Sequence, residues 1–199
     1  GSVAKKMSEI FLEVLIAPSF TKEAIDILTK KKNIRLIEIS NLDYKNNIEM
    51  DFKNVLGGAL IQQKDSLLLD EDDIEVATDR EPNEKEIEDL LFAWKAVKNT
   101  KSNSVVIVKD KGTLGLGVGE VNRVWAVDNA IKRAGDNVSG SVIASDAFFP
   151  FKDSIELLGK AGVTAIIQPG GSIRDEEVIE EANKHNIAMI FTGVRHFKH

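Results

Sequence analysis

The stretch that leads from a short apolar strand into an amphipathic helix near position 150 constrains the fold more than any other. Residues 141–143 form a short, largely apolar run typical of a buried strand, and residues 154–160 have the periodicity of a helix. A strand that leads directly into a helix is the repeating unit of layered α/β folds, which bind ligands at such junctions. The stretch therefore predicts an α/β layer with a candidate ligand site between residues 144 and 153.

The content of this junction is unusual for a simple connection. Phe148, Phe149 and Phe151 surround Pro150, and Asp146 precedes them. Proline fixes its own φ and favours an extended conformation at the residue before it. Aromatic walls with one fixed carboxylate suit a flat heterocyclic ligand. The simpler alternative is that all three rings belong to the core, and the residues alone leave both interpretations open.

The composition excludes several classes of function. The 32 acidic residues outnumber the 26 basic ones, and the formal net charge of −6 argues against a surface for nucleic acid or anionic membrane. Cysteine is absent, which excludes a disulfide, a thiolate nucleophile and cysteine-ligated zinc within this sequence. No apolar run approaches transmembrane length and no signal peptide is visible, so the sequence predicts a cytoplasmic protein.

Four elements are predicted before residue 40, in the order helix, strand, helix and strand. Thr21 is the expected N-cap of the second helix, and the lysines at 30–32 are placed in its last turn, where cations oppose the helix dipole. A polar, irregular segment is predicted to connect two lobes. In order, these regions cover residues 5–12, 13–17, 21–32, 34–39 and 41–53.

The rest of the chain alternates strands and helices. The strongest helix is predicted over 84–99, with Asn83 as N-cap and Trp94 on its apolar face. Further helices are predicted at 120–134, 154–160 and up to about 183. Strands are predicted at 55–62 (with a glycine pair), 74–78, 104–108, 113–119, 141–143, 163–168 and 187–191, with an acidic turn at 70–73 and a hairpin turn at 110–112. This order predicts a layered α/β fold in which helices cover a mixed sheet.

Glycines alternate at positions 115, 117 and 119. Because side chains alternate between the two faces of a strand, these glycines leave one face bare for another backbone or a ligand. The stretch is not the dinucleotide-binding fingerprint, since Glu120 follows and the glycines precede the helix in a different pattern. Arg123 lies in the first turn of the next predicted helix, where a cation opposes the helix dipole. Helix stability does not explain Arg123, so a binding role is considered beside a structural one.

Ser172 and Asp175 fit a helix-capping box in which aspartate replaces the usual glutamate or glutamine. The preceding glycine turn is also typical of phosphate sites at helix N-termini. Capping explains these residues without a ligand and is the preferred interpretation.

Several segments together carry a resemblance to one family. In chain order they are Lys101-Ser102-Asn103-Ser104, Gly115-Leu116-Gly117-Val118-Gly119, Arg123, Ser145-Asp146-Ala147-Phe148-Phe149-Pro150-Phe151, Gln168-Pro169-Gly170-Gly171-Ser172 and Arg195-His196-Phe197-Lys198-His199. With the segments at 14–18 and 31–36, they resemble the C-terminal part of the AICAR transformylases, the formyltransferase half of bifunctional purine-biosynthesis enzymes. The resemblance covers essentially the whole chain.

This resemblance implies an activity, a fold and an assembly. The activity is transfer of a formyl group from 10-formyltetrahydrofolate to the 5-amino group of AICAR ribotide. The fold is a pair of cytidine-deaminase-like lobes without zinc, with residues 1–53 in the first lobe and 54–199 in the second. The absence of cysteine agrees, because the deaminase motif needs cysteine ligands. The assembly is a homodimer with active sites at the subunit interface.

Matching motif positions also imply site residues. The ribotide would be contacted by Asn103, Arg123, Phe148 and Arg195. The folate pocket would be lined by Pro150 and Phe151, and a monovalent cation, with potassium expected, would lie at Asp146 and His199. Such roles are chemically reasonable, because arginine suits a phosphate or a carboxamide oxygen and asparagine matches a carboxamide with one donor and one acceptor.

The chain departs from the family in several upstream segments and at Glu120. The catalytic Lys-His pair of the family is followed by Pro-x-Gly and lies upstream, and Lys184-His185 lacks that context. The upstream arginine-tyrosine motif and the inosinate-cyclising half are also missing from this sequence. No catalytic residue is therefore assigned, although His199 is a candidate for support. Glu120 replaces the usual glutamine, and its carboxylate is expected either to repel a phosphate or to pair with Arg123.

Two main functions follow. One is a fragment or short form of the formyltransferase, active only when the upstream half is supplied in cis or in trans. The other is a non-catalytic nucleotide-binding or dimerisation module, which would bind ligand without turnover. A third interpretation, a zinc-free deaminase relative, requires release of ammonia from another heterocycle.

Overall fold

The computed structural model of the chain describes residues 1–40, 50–67, 69 and 74–198. The chain forms two compact units, Gly1–Ser66 and Leu67–His199. The acidic turn predicted at 70–73 and residues 41–49 of the predicted connection lie outside the described residues.

The described residues of the first unit form two helices, a parallel strand pair and a hairpin. Strands β1 and β2 pair in parallel, and β3 and β4 form the antiparallel hairpin. Every residue of the hairpin strands is exposed. In chain order the elements are α1 (Ser2–Ser8), β1 (Val14–Ala17), α2 (Lys22–Leu28), β2 (Arg35–Glu38), β3 (Met50–Val55) and β4 (Gly58–Gln63).

Helix α2 begins as predicted but ends early. The Thr21 side chain accepts a hydrogen bond from the Ala24 N–H at 3.2 Å, which confirms the N-cap. The helix ends at Leu28, where the Thr29 hydroxyl donates to the Ile25 carbonyl at 2.7 Å. Such side-chain bonds compete with the helical pattern. The lysines at 30–32 therefore lie beyond the helix, and their placement in its last turn is wrong.

Other boundaries in this unit also differ from the prediction. Helix α1 covers Ser2–Ser8 rather than residues 5–12. Residues 50–53, predicted to be irregular, belong to β3, and the single strand predicted over 55–62 is divided by a turn. Gly57 makes this turn possible because its φ of +88° lies in the region that favours glycine.

The second unit is built on a mixed sheet. The strand order is β5-β10-β9-β8-β6-β7. Strands β8, β9 and β10 are mutually parallel, while β5, β6 and β7 are antiparallel to the neighbours with which they pair. The mixed sheet is thus confirmed. Its strands are β5 (Glu75–Val76), β6 (Val105–Lys109), β7 (Gly112–Gly117), β8 (Val142–Ser145), β9 (Ala165–Gln168) and β10 (Ala188–Phe191).

Helices cover both faces of this sheet. They are α3 (Glu84–Val97), α4 (Arg123–Ala134), α5 (Asp153–Ala161) and α6 (Asp175–Lys184). Alternation along β6 separates the two cores: Val106 and Val108 pack in the cluster of α3, whereas Val105 and Ile107 pack in the cluster of α4, α5 and α6. Within the described part of the chain, no helix is long and apolar enough to cross a membrane.

The N-terminus of α3 confirms its predicted cap. The Asn83 side chain accepts from the Glu86 N–H at 3.0 Å, and the Glu86 carboxylate accepts from the Asn83 N–H at 2.9 Å. This reciprocal pair is a capping box. Trp94 is 2% exposed, as its position on the apolar face predicts.

The bare face of β7 receives the backbone of α4. A Cβ atom on Gly117 would lie 1.9 Å from the Ala126 carbonyl oxygen, and one on Gly115 would lie 2.0 Å from that of Ala130. Of the two alternatives, another backbone is therefore correct for Gly115 and Gly117. Gly119 lies beyond β7, and a Cβ atom there would meet no atom within 4 Å. Close packing of α4 on β7 brings Arg123, the first residue of the helix, beside the sheet.

Candidate functional site

The parallel strands β8, β9 and β10 end at one edge of the sheet, called here the carboxyl edge. Asp146 directly follows β8, and Ser104 directly precedes the antiparallel strand β6. The register places Val105 opposite Ser145, so these two residues share the same edge. Ligand sites of α/β sheets lie outside the carboxyl ends of the strands.

A buried ion pair occupies this edge. Arg123 is 5% exposed and Asp146 is fully buried. One guanidinium nitrogen, Nη1, donates to the Asp146 carboxylate and, at 2.8 Å, to the Ser104 carbonyl oxygen. The other, Nη2, donates to Oδ1 of Asn103 at 3.1 Å. The unexplained cation at the start of α4 thus has a structural partner that the sequence separates from it by 23 residues.

The buried carboxylate of Asp146 accepts further hydrogen bonds on both oxygens. The Ser104 N–H donates to Oδ1 at 3.1 Å, and the Ser102 hydroxyl donates to Oδ2 at 2.5 Å. A buried ion pair is stable only when such hydrogen bonds satisfy the remaining lone pairs and N–H groups of its two members. Ser102 and Ser104 are therefore part of the site. The sequence prediction missed them as site residues, although both lie in the 101–104 motif.

The Asn103 carboxamide is fixed from both ends. Its Oδ1 accepts from Arg123, and its Nδ2 donates to the Glu120 carbonyl oxygen at 2.9 Å. The Glu120 carboxylate accepts from Asn129 Nδ2 at 2.7 Å. The expected pairing of Glu120 with Arg123 is therefore wrong. Arg123 pairs with Asp146, and the Glu120 carboxylate binds a side chain of α4.

The C-terminal segment 195–198 docks onto the same cluster. The His196 N–H donates to the Asp146 carbonyl oxygen at 2.9 Å. The Lys198 N–H donates to the Ser102 hydroxyl at 3.0 Å, and the Ser102 N–H donates to the Lys198 carbonyl oxygen at 2.8 Å. The His196 ring lies 4.6 Å from the Trp94 ring between centroids. Arg195 is exposed and stacks over Phe197 at 4.9 Å.

The three phenylalanines of the junction have different environments. Phe149 is fully buried, and its N–H donates to the Gln168 side chain at 2.8 Å. Phe148 and Pro150 are half-buried. Phe151 is 49% exposed and lies 4.9 Å beneath the Arg174 guanidinium. The all-core alternative is therefore right for Phe149 and wrong for Phe151.

The glycine turn before α6 is occupied by a carboxylate of the chain itself. Asp175 accepts hydrogen bonds from the N–H groups of Gly171 at 2.7 Å and Ser172 at 3.1 Å. The Ser172 hydroxyl accepts from the Arg174 N–H at 3.1 Å, so the predicted capping box is present only on its aspartate side. Because Asp175 occupies the donors that a phosphate would use, the capping interpretation is supported.

The structure thus gathers Asn103, Arg123 and Asp146 with the segment that carries Arg195. His199 lies outside the described residues, so the monovalent-cation site stays a prediction. Three hydrogen bonds from described residues already reach the two Asp146 carboxylate oxygens, so a cation at this carboxylate would share those oxygens with the donors. Among the described residues, no group of three or more metal-binding side chains lies together.

Comparison with known proteins identifies the family. The profile described as the AICARFT/IMPCHase bienzyme matches residues 1–133. The bifunctional purine biosynthesis protein PurH of Caldicellulosiruptor saccharolyticus is 58% identical over 98% of this chain, and PurH of Persephonella marina is 56% identical over 98%. RibD of Acinetobacter baumannii aligns with a TM-score of 0.37 and 17% identity over 50% of this chain and 32% of its own, which is too weak to support a conclusion.

The chain spans 38% of the length of these two PurH relatives. The match of the family profile nevertheless covers more than half of the chain. The chain therefore belongs to the AICARFT/IMPCHase bienzyme family.

Proposed function

We propose that this chain is the C-terminal part of the formyltransferase of the bienzyme, with a cytidine-deaminase-like fold. It acts in purine biosynthesis on AICAR ribotide, with 10-formyltetrahydrofolate as formyl donor. Residues 1–53 complete a first lobe, residues 54–199 form the second, and the working enzyme is a homodimer. The upstream half supplies the Lys-His segment.

One observation carries the proposal: the carboxyl edge holds an oriented carboxamide beside a buried arginine and a docked, cationic C-terminal segment. Asn103 is the oriented group, because Arg123 and the Glu120 carbonyl hold its two ends. A carboxamide held in this way recognises the complementary donor and acceptor of another carboxamide, the group that AICAR ribotide carries. Arginine has five N–H donors. The hydrogen bonds of Arg123 to described residues do not use all of them.

The remaining residues divide between the two ligands. Phe148 offers a half-buried ring to the flat imidazole, and the exposed Arg195 offers charge to the phosphate. Pro150 and the exposed ring of Phe151 face the folate. The cation, with Asp146 and His199 near it, belongs to the proposal as a supporting ion, and no chemical step depends on it.

The chemistry explains why the rate depends mainly on how the two ligands are positioned. The amino nitrogen of the ribotide attacks the formyl carbon, the bond from that carbon to N10 of the folate breaks, and the amine loses one proton while N10 gains one. This amine is a weak nucleophile, so the rate depends on holding both ligands in register and on removing the proton. The described residues of this chain supply the positioning, and the upstream segment supplies the acid–base group.

A titration with AICAR ribotide tests whether this chain binds the substrate. Trp125 is 55% exposed and lies two residues after Arg123, so its fluorescence reports on this region. We expect saturable binding that inorganic phosphate alone does not displace. Arg195→Ala should weaken binding by about 1.5–3 kcal/mol, the range for a hydrogen bond to a charged group. Lys198→Ala is the matched control, because it removes a neighbouring exposed cation and leaves the backbone hydrogen bonds in place.

A turnover assay tests the catalytic part of the proposal. Adding a polypeptide that carries the upstream half should produce formylated ribotide when 10-formyltetrahydrofolate is present. Binding without turnover in every pairing would favour the non-catalytic module instead. Failure to bind the ribotide, both alone and with the upstream half, would contradict the proposed function.

A further inference from the structure

We propose that Ser102 is a positioning residue that couples the Arg123–Asp146 pair to the C-terminal segment carrying Arg195. The functional part of this inference rests on the proposed function, in which Asn103 and Arg195 contact the ribotide. Ser102 lies between these groups: it precedes Asn103 in the chain and bonds to the backbone of Lys198, three residues after Arg195.

The direction of the hydrogen bonds identifies Ser102 as the link. The hydroxyl has one proton, and it donates that proton to the fully buried carboxylate of Asp146 at 2.5 Å. The oxygen is then free to accept, and the Lys198 N–H donates to it at 3.0 Å. The charge of Asp146 thereby fixes the hydroxyl in the orientation that receives the C-terminal segment. Bonds to an ionised acceptor are stronger than neutral ones, and linked hydrogen bonds polarise one another.

Two backbone contacts complete the attachment. The Ser102 N–H donates to the Lys198 carbonyl oxygen at 2.8 Å, and the His196 N–H donates to the Asp146 carbonyl oxygen at 2.9 Å. Terminal residues are usually poorly ordered unless such contacts hold them. Arg195 is exposed, so its position depends on the attachment of the residues that follow it rather than on burial of its own side chain.

Burial limits the access of water to the position of the Ser102 hydroxyl. Ser102 is 7% exposed, and the Asp146 carboxylate has no exposed surface. An alanine at 102 would leave Oδ2 of Asp146 and the Lys198 N–H without the partner that joins them. Both the ion pair and the C-terminal segment would then lose their shared contact, while Asn103 would keep its hydrogen bonds to Arg123 and Glu120.

Hydrogen exchange of the whole chain tests the attachment without any ligand. Ser102→Ala should speed exchange of the Lys198 and His196 amides by about tenfold or more, as expected for the loss of a hydrogen bond to a charged group. Ser141→Ala is the matched control. Ser141 is buried as well, and its hydroxyl also donates a hydrogen bond, but it precedes β8 at the opposite edge of the sheet. Unchanged exchange at both amides in Ser102→Ala would overturn the proposal.

A double-mutant cycle tests the coupling to ligand binding. Ribotide affinity is measured for the unsubstituted chain, Ser102→Ala, Arg195→Ala and the double variant. If Ser102 acts by positioning Arg195, the double variant should lose little more affinity than Arg195→Ala alone, so the effects are not additive. Ser102→Thr, which keeps the hydroxyl, should recover most of the lost affinity.

The two tests separate the two proposals. Faster exchange with fully additive affinity losses would overturn the functional role of Ser102. If the unsubstituted chain binds no ribotide with or without the upstream half, the proposed function fails. Hydrogen exchange still decides whether Ser102 attaches the C-terminal segment.

Discussion

Both edges of the mixed sheet carry an arginine bound to a carboxylate, but the two pairs hold different things. At the carboxyl edge, Arg123 and Asp146 are buried together, with 5% and 0% of their side chains exposed. At the opposite, amino edge, the Arg80 and Glu86 side chains remain 26% and 11% exposed. Arg80 binds both carboxylate oxygens of Glu86 at 2.9 Å.

The partners of each pair show the difference in role. Arg80 also donates to the carbonyl oxygens of Thr164 and, at 2.9 Å, of Asn186, which precede β9 and β10. These are backbone groups that need a donor, so the pair ties connections to the start of α3. Arg123 also donates to one backbone carbonyl, that of Ser104, but in addition it reaches a side chain, Asn103, that keeps capacity to bind a ligand. The amino-edge pair holds backbone groups of the fold, whereas the carboxyl-edge pair contacts a side chain that the proposed function places in the ribotide site.

The largest expected effect comes from breaking the buried pair at the carboxyl edge. Asp146→Ala leaves the Arg123 charge buried without its partner, which should lower the free energy of unfolding of the second unit by about 3–5 kcal/mol. Both tryptophans, Trp94 and Trp125, lie in this unit, so denaturation followed by their fluorescence reports on it.

Replacing both members of the pair is the control for Asp146→Ala. The double variant Arg123→Met with Asp146→Leu should recover much of the stability, because apolar groups of similar volume often replace buried ion pairs without loss. It should still bind ribotide poorly. A loss for Asp146→Ala no larger than that for Glu86→Gln would contradict the distinction between the two edges.

A smaller effect is expected from pushing α4 away from the sheet. Gly117→Ala places a Cβ 1.9 Å from the Ala126 carbonyl oxygen, so the helix that begins with Arg123 must shift. Overpacking of this kind costs about 1–3 kcal/mol of unfolding free energy. In Gly112→Ala, on the same strand, the nearest atom lies 3.4 Å away, an ordinary contact, and its stability should change little. Equal losses in the two variants would show that α4 does not depend on the bare face.

The amino-edge pair should give a loss that depends on pH. Burial alone raises the pKa of Glu86, but hydrogen bonds from Arg80, the Asn83 backbone and Thr164 outweigh it, so the pKa lies below its usual 4.5. The unfolded state therefore binds the proton more readily. The stabilisation is fully present above pH 4.5 and disappears as the pH falls through the lowered pKa.

Glu86→Gln tests this dependence. At pH 7 it should cost about 1–2 kcal/mol of unfolding free energy, reduced because Arg80 borders solvent. The difference from the unsubstituted chain should shrink below pH 4.5. Ribotide affinity should not change. If the difference in unfolding free energy between the two proteins stayed constant below pH 4.5, the charge of Glu86 would not contribute to stability.

The smallest effect on stability is expected at the exposed ring of the carboxyl edge. Phe151→Ala removes a contact with Arg174 that is worth about 0.5–1 kcal/mol at an exposed site. It should weaken folate binding more than ribotide binding. Phe149→Ala is the contrast, because truncation of a fully buried ring costs about 3–5 kcal/mol. Similar stability losses in both variants would place Phe151 in the core.

Local rules predicted much of the second unit. The Asn83 cap and the apolar spacing through Trp94 predicted α3, because both depend on residues within a few turns of each other. Rules of the same kind were less reliable in the first unit. The strand predicted over 55–62 is a hairpin turned at Gly57, since a short apolar run does not show where a chain reverses.

The sequence by itself determined which residues are chemically unusual: the alternating glycines, a cation at the start of a helix and an aspartate among phenylalanines. Their residue types and spacing can be identified from the sequence without knowledge of the fold. Only the tertiary structure decided what they do. Arg123 and Asp146 meet because α4 packs on glycine backbone and β8 pairs with β6, and such long-range contacts depend on the whole sheet. Ser102 became a link for the same reason, since its two partners lie 44 and 96 residues away.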